Sequence, residues 1–120
     1  MKIAFSTSGS DLNAPLDTRF GRAAKFLVYD TATAMFQVVD NNQNLTAAQG
    51  AGIQSAQNVA ASGAQALVSG HCGPKAYRVL STAGIKAYTS KAATVAEALS
   101  LFQDGTLTEL KAADVEGHWA

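Results

Sequence analysis

The sequence predicts an α/β fold in which helices cover a mixed five-stranded sheet. Short strand-like runs alternate with helical patterns in the second half of the chain, which favours parallel strands joined by right-handed crossovers. Two strand-like runs in the first half are separated only by a turn, which adds antiparallel strands. The 120 residues are 48% hydrophobic and 15% charged, which suits one core, so we predict a single domain over residues 1–120.

Three strands are predicted in the first half. The run at 3–7 is typical of a buried strand and ends in Ser-Gly-Ser. A long loop follows over residues 8–25, and long loops in compact chains are often functional. Strands at 26–30 and 35–40 flank a hairpin turn, and residues 41–44 are turn material.

Helices and strands alternate in the second half. The Ala- and Gln-rich segment 46–62 predicts a helix with Thr46 as N-cap, ended by Gly63. A buried strand is predicted at 66–69, and Pro74 suits the first turn of a helix that runs to residue 82. The fifth strand lies at 85–89 and a helix at 94–104, and residues 106–120 are predicted to form a polar tail with room for one short element.

The charge pattern argues against nucleic-acid and membrane partners and indicates a positive surface in the middle of the chain. Nine basic and nine acidic residues give a net charge of zero, so we expect neither a nucleic-acid nor a membrane partner. No acidic residue lies between Asp40 and Glu97, a stretch that carries four cations: Lys75, Arg78, Lys86 and Lys91. The middle of the chain could therefore build a positive surface, with a mixed surface of scattered charges as the alternative.

The single cysteine and the hydropathy pattern bear on location. Cys72 alone allows no intrachain disulfide, which fits a reducing cytoplasm. No apolar run resembles a signal peptide or reaches the roughly 20 residues of a membrane span. We therefore expect a cytoplasmic protein. Separately, we expect a monomer or a weak dimer.

The first candidate site is the glycine-rich loop between the strand at 66–69 and the helix at 74–82. Glycines allow close backbone approach, and a helix start offers unpaired N–H groups that favour anions. Cations in the first helical turns would strengthen this site. The alternative is a tight turn that needs glycine only for its geometry. The candidates here are Gly70, His71, Cys72, Gly73, Lys75 and Arg78.

His71 and Cys72 add metal-binding chemistry, because a thiol beside an imidazole suits copper or zinc. A tetrahedral site needs about four ligands, and the only other histidine is His118, so a structural zinc site is not expected. Cys72 could equally be a small buried hydrophobe. Catalysis by a Cys–His pair is disfavoured because adjacent side chains in an extended loop diverge.

The second candidate site lies in the long loop, where cations are interleaved with aromatic residues. Arginine offers directional donors to an anion, and Phe20 could either line a pocket or anchor the core. If the strands at 3–7 and 66–69 are parallel neighbours, both loops leave the same sheet edge and form one cleft. This loop contributes Arg19, Phe20, Gly21 and Arg22, which join Lys75 and Arg78 in the predicted cleft.

Several segments together match one known family. They are Ile3–Ser6, Leu16–Ala23, Phe26–Asp30, Leu67–Ala76 and Leu80–Tyr88. In these segments, which span roughly residues 2–105, the chain resembles the dinitrogenase iron–molybdenum cofactor biosynthesis family. The combination of Arg-Phe-Gly-Arg with a later Gly-x-x-Gly-Pro carries most of the specificity.

The resemblance implies a ribonuclease-H-like fold without a nuclease site and a non-catalytic carrier role for metal–sulfur clusters. Small members of this family imply a molybdenum–copper sulfide cluster, held non-covalently, or an iron–molybdenum cofactor precursor, with protein partners in cluster delivery. Such anions bring their own sulfide ligands and need cations, N–H donors and an apolar wall.

Two alternatives to the carrier remain open. One is a binder or small enzyme for a phosphorylated metabolite, for which Asp17 is the nearby carboxylate that could act as a general base. The other is an adaptor that docks an acidic protein through an exposed Phe20 and basic residues.

Overall fold

The computed structural model describes residues 1–41 and 51–111, which form a sheet with helices on both faces. The described sheet has six strands in the order β3-β2-β1-β4-β5-β6. The strands are β1 (Lys2–Thr7), β2 (Lys25–Asp30), β3 (Met35–Asp40), β4 (Ala66–Ser69), β5 (Lys86–Thr89) and β6 (Thr108–Glu109). The helices are α1 (Ala51–Ala61), α2 (Pro74–Thr82) and α3 (Val95–Gln103).

The pairing of the strands confirms the predicted mixed sheet. β1 pairs antiparallel with β2, from Lys2 opposite Asp30 to Thr7 opposite Lys25, and β2 pairs antiparallel with β3. On its other side β1 pairs parallel with β4, and β4 pairs parallel with β5. The carboxyl ends of β1 and β4 therefore lie side by side, as the prediction of one cleft between the two candidate loops requires.

The prediction of five strands is wrong, because β6 adds a sixth. Thr108 and Glu109 pair antiparallel with Thr89 and Tyr88, and the N–H of Leu110 donates to Ala87 O at 2.8 Å. Both residues of β6 are exposed, so the strand has no apolar alternation that would mark it in sequence. Part of the predicted polar tail is thus a short edge strand.

Two buried clusters sandwich the sheet. One face packs α1 and α2 against residues such as Phe26 and Leu67, and Phe20 and Cys72 belong to this cluster. The other face packs α3 and the long loop against Ile3, Phe5 and neighbours. Alternation along β1 explains the division, since Ala4 points to the first face and its neighbours point to the second.

The long loop is tied to the sheet and to α3. The Thr7 hydroxyl donates to Pro15 O at 2.7 Å, and the Leu16 N–H donates to Ala93 O at 3.1 Å. The first N–H groups of α3 are satisfied by loop carbonyls: Val95 N–H donates to Ala14 O and Ala96 N–H to Leu12 O. These bonds fix the start of the long loop, which carries the second candidate site.

The predicted element limits agree closely with the structure where it describes them. α2 spans the predicted residues, Thr94 caps α3 by accepting from the Glu97 N–H at 3.2 Å, and Gly63 follows α1 with a φ of 83°. The predicted N-cap Thr46, turn residues 42–44 and residues 112–120, including His118, lie outside the described residues. In the part of the chain that the structure describes, no helix has the length and apolar character to cross a membrane.

Candidate functional site

An open cavity of ≈ 700 Å³ lies where the two candidate loops leave the carboxyl ends of β1 and β4. Its volume falls within the range of small-molecule sites, about 300–1,000 Å³. Among the described residues that line it, none is an aspartate or glutamate. They are Arg19, Phe20, Gly21, Arg22, Gly52, Ile53, His71, Gly73, Pro74, Lys75 and Ala76.

The two loops meet through their backbones. Arg19 and His71 form an isolated parallel bridge, and the Phe20 N–H donates to His71 O at 3.2 Å. Gly70 is required at this junction, because a Cβ there would lie 2.6 Å from Thr18 Cα. The glycine thus serves the approach of one loop to the other, and it is not among the described residues that line the cavity.

Phe20 forms the inner wall of the cavity. It is 1% exposed and begins a short 3₁₀ turn, Phe20–Arg22. Its ring packs on Phe26 with centroids 5.3 Å apart. Phe20 is therefore both a core anchor and a lining residue. The expectation of an exposed Phe20 in the adaptor hypothesis is wrong, because the aromatic ring faces the core.

Three cations give the lining its charge. Arg19, Arg22 and Lys75 come from the two loops and the first turn of α2. Asp17 partly balances Arg19, since its Oδ1 lies 3.3 Å from the Nε of that arginine. The absence of any acidic residue between positions 40 and 97 leaves the α2 side of the cavity without a carboxylate of its own.

The start of α2 adds backbone donors at the cavity. Gly73 is the N-cap and offers no side chain to cap the helix. The Tyr77 N–H is the donor that reaches Gly73 O, at 2.9 Å. By helix geometry the N–H groups of Lys75 and Ala76 precede the first intrahelical bond. Donors and the positive dipole end therefore face the same region as the cations.

Cys72 points into the core rather than the cavity. It is 5% exposed, packs in the cluster that contains Phe20, and its Sγ contacts Gly73 O at 3.7 Å. Burial raises the pKa of the Cys72 thiol to about 12. Because the thiolate is the form that binds metals, this position favours the buried-hydrophobe alternative, and ligation by Cys72 stays a prediction.

Some predicted residues do not line the cavity, and others were missed. His71 is exposed at the cavity, whereas Arg78 lies one turn beyond Lys75 on α2 and is not among the described lining residues. The sequence reasoning missed the α1 residues Gly52 and Ile53. Gly52 allows α1 to approach α2, since a Cβ there would meet Ala76 Cβ at 3.3 Å.

The buried side-chain amide of Asn41 supports the 3₁₀ turn Phe20–Arg22. Asn41, fully buried at the end of β3, donates to Ala23 O at 2.8 Å and to Ser55 Oγ at 3.0 Å. It also accepts from Asn58 Nδ2 at 2.7 Å. Asn41 thereby links β3, the long loop and α1. In sequence it was indistinguishable from turn material.

The described residues contain no group of three or more histidine, cysteine, aspartate or glutamate side chains that could hold a metal ion. Cations, backbone N–H groups and an apolar wall fit an anion that brings its own ligands better than a bare cation. The lining therefore suits an anion that has a partly apolar surface.

Comparison with known proteins gives one family match and several relatives. The model of the family described as "Dinitrogenase iron-molybdenum cofactor" matches residues 1–105. An uncharacterized protein of Methanocaldococcus jannaschii is 29% identical over 114 residues, which cover 92% of each chain.

Two solved structures share both sequence and fold with this chain. The apo form of the orange protein from Desulfovibrio gigas is 43% identical, with a TM-score of 0.87 over 91% of this chain and 92% of that chain. A putative NifB protein from Thermotoga, solved by NMR, is 34% identical, with a TM-score of 0.80 over the same shares.

Proposed function

This chain belongs to the dinitrogenase iron–molybdenum cofactor family, and from that premise we propose that it is a carrier for an anionic molybdenum-containing sulfide cluster. In this proposal residues 1–120 form one binding domain with a ribonuclease-H-like fold. The cluster, of the molybdenum–copper–sulfide type, is cargo that the protein binds without covalent attachment and passes on unchanged.

The observation that carries the proposal is the composition of the cavity. Three cations, the donors at the start of α2 and an apolar wall of Ile53 and Pro74, with buried Phe20 behind it, surround one open space. A sulfide cluster presents negative charge together with soft, weakly hydrated sulfur atoms. Charge-assisted contacts to cations and packing against apolar side chains both suit such a surface.

The apolar wall separates this proposal from the phosphate alternative. Phosphate oxygens are strongly hydrated and gain nothing from contact with Ile53 or Pro74. Asp17, the carboxylate nominated as a general base, is occupied by Arg19 instead of facing a substrate alone. We therefore place the phosphorylated metabolite second and expect only weak binding of inorganic phosphate.

The proposal is tested by loading the apo protein with tetrathiomolybdate and copper, desalting it, and recording the visible spectrum with metal analysis. We expect retained colour with stoichiometric molybdenum and copper. Retention of molybdenum without copper would point to a different molybdenum–sulfur cargo, such as a cofactor precursor. A colourless, metal-free protein would contradict the carrier function.

A pair of double variants tests how the cargo is held. We expect Arg19→Ala with Arg22→Ala to weaken retention and raise its salt sensitivity, because two lining charges are lost. The matched control is Lys86→Ala with Lys91→Ala, which removes two exposed cations that are not among the described lining residues. If Cys72→Ser abolishes retention while the arginine pair has no effect, thiolate ligation replaces the electrostatic account.

A further inference from the structure

We propose that Asp17 is a positioning residue that holds Arg19 at the cavity and competes with the bound anion for it, which keeps the cargo releasable. This inference rests on the proposed carrier function and concerns how the same site is regulated. It assigns Asp17 a role as a built-in counter-charge rather than as a general base.

The backbone of Asp17 is fixed at the point where β1 and β4 end together. Its N–H donates to Ser6 O at 2.8 Å, and its carbonyl accepts from the Ser6 hydroxyl at 2.6 Å. The hydroxyls of Ser6 and Ser69 are themselves hydrogen-bonded at 2.8 Å. Both serines are buried, so this anchor belongs to the rigid part of the sheet.

The Asp17 carboxylate binds one edge of the Arg19 guanidinium. Oδ1 accepts from the backbone N–H of Arg19 at 2.9 Å and from its Nε at 3.3 Å, and Oδ2 lies 3.5 Å from Nη2. The side chain of Asp17 is 11% exposed, whereas that of Arg19 is 69% exposed. A guanidinium has five N–H donors, and Asp17 engages only its Nε and Nη2 edge, so the other donors of this cavity-lining arginine are not taken up by Asp17.

These contacts define a competition rather than a fixed structural bridge. An ion pair with one partner this exposed contributes little to stability, so an anion of higher charge can displace the carboxylate from Arg19. Asp17 cannot follow, because its backbone is anchored, and its negative charge then remains beside the cargo. When the cargo leaves, the carboxylate recovers the arginine.

Asp17→Asn separates the charge from the geometry. The amide Oδ1 still accepts the Arg19 N–H, but the negative charge is gone. We expect this variant to bind tetrathiomolybdate about two- to fivefold more tightly than wild type at low salt, with slower release, and the difference to shrink as salt rises. Equilibrium dialysis followed by a dilution time course measures both quantities.

Asp11→Asn is the matched control. Asp11 lies in the same loop, is exposed, and its Oδ1 accepts the Asn13 N–H at 2.9 Å, which is the same local turn without an arginine. It should leave affinity and release within about twofold of wild type. Equal effects of the two variants would mean that only the overall charge of the protein matters, and this would overturn the inference. Unchanged or weaker binding of tetrathiomolybdate by Asp17→Asn would also overturn it.

A second readout keeps this inference distinguishable from the proposed function. In the apo protein, the Arg19 Nε–H signal in NMR should be shifted and protected from exchange relative to Asp17→Asn. If wild type binds no tetrathiomolybdate, the carrier function and the competition both fail, and this signal alone decides the positioning role. An Arg19 signal identical in the two proteins would overturn that role whatever the cargo result.

Discussion

Replacing Gly70 with alanine should break the contact that joins the two candidate loops. A Cβ on Gly70 would lie 2.6 Å from Cα, 2.7 Å from Cβ and 2.9 Å from O of Thr18, whereas ordinary contacts begin at 3.4 Å. Thr18 would have to retreat by about 0.8 Å, the difference between 3.4 and 2.6 Å. These atoms are mostly backbone, so no rotamer change relieves the clash.

The cost follows from what holds Thr18 in place. Its neighbour Asp17 is bonded to Ser6, and the Phe20 N–H donates to His71 O at 3.2 Å. Overpacking costs about 1–3 kcal/mol, and losing one such hydrogen bond costs about 0.5–1.5 kcal/mol. We expect Gly70→Ala to lower the free energy of unfolding by about 2–4 kcal/mol. That is a large part of the total stability of a typical domain, about 5–15 kcal/mol.

Urea denaturation followed by circular dichroism measures this change. With a urea m-value of about 2 kcal/mol/M, the middle of the usual range, the midpoint should fall by roughly 1–2 M. Gly73→Ala, three positions along the same loop, is the control, since a Cβ there meets nothing within 4 Å. As an N-cap change it should cost at most about 1 kcal/mol. Equal stability of the two variants would refute the close-approach argument.

Two further predictions concern buried groups beside the cavity. Burial raises the pKa of Cys72 to about 12 from an ordinary value of 9.0, so the native thiol should react with iodoacetamide at about pH 8 far more slowly than the urea-unfolded thiol. Rapid alkylation of the native thiol would contradict the burial. Since the folded pKa is the higher one, the full free energy of unfolding is present below pH 9.0, and it falls as pH rises from 9.0 toward 12, because the unfolded thiol loses its proton first. Asn41→Ala removes the donor to Ala23 O and should lower the free energy of unfolding by about 1–3 kcal/mol in urea denaturation. Exposed Asn13→Ala is its control, and equal effects would argue against a structural role for the buried amide.

Much of the fold could be predicted from the sequence because it depends on local patterns. Apolar runs, glycine ends and Pro74 predicted helices α1 to α3 and every described strand except β6. The alternation of strands and helices in the second half implied parallel pairing of β1, β4 and β5. β6 escaped because two exposed residues on a sheet edge bury nothing. Its position depends on hydrogen bonds to β5, which lies far from it in the sequence, so no local pattern predicts it.

The sequence predicted which two loops form the candidate site, but it did not predict which of their side chains line the cavity. Parallel neighbours bring their carboxyl ends to one edge, so the meeting of the loops at Arg19 and His71 followed from topology. Loops have no periodicity, and the direction of a loop side chain is therefore decided by tertiary contacts. Phe20 and Cys72 turn into the core, and Arg78 lies elsewhere on α2.

The sequence by itself determined the fold class, the order of the elements from β1 to α3, the cation-rich loops and the family. Only the tertiary structure decided that α1 contributes Gly52 and Ile53 to the cavity, that Asn41 braces it, and that Asp17 holds Arg19. The physical reason is the separation along the chain over which each interaction acts. Hydrophobic periodicity and glycine geometry act over only a few residues. Contacts between α1, the long loop and α2 join residues far apart in the chain, and they form only when the sheet brings those segments together.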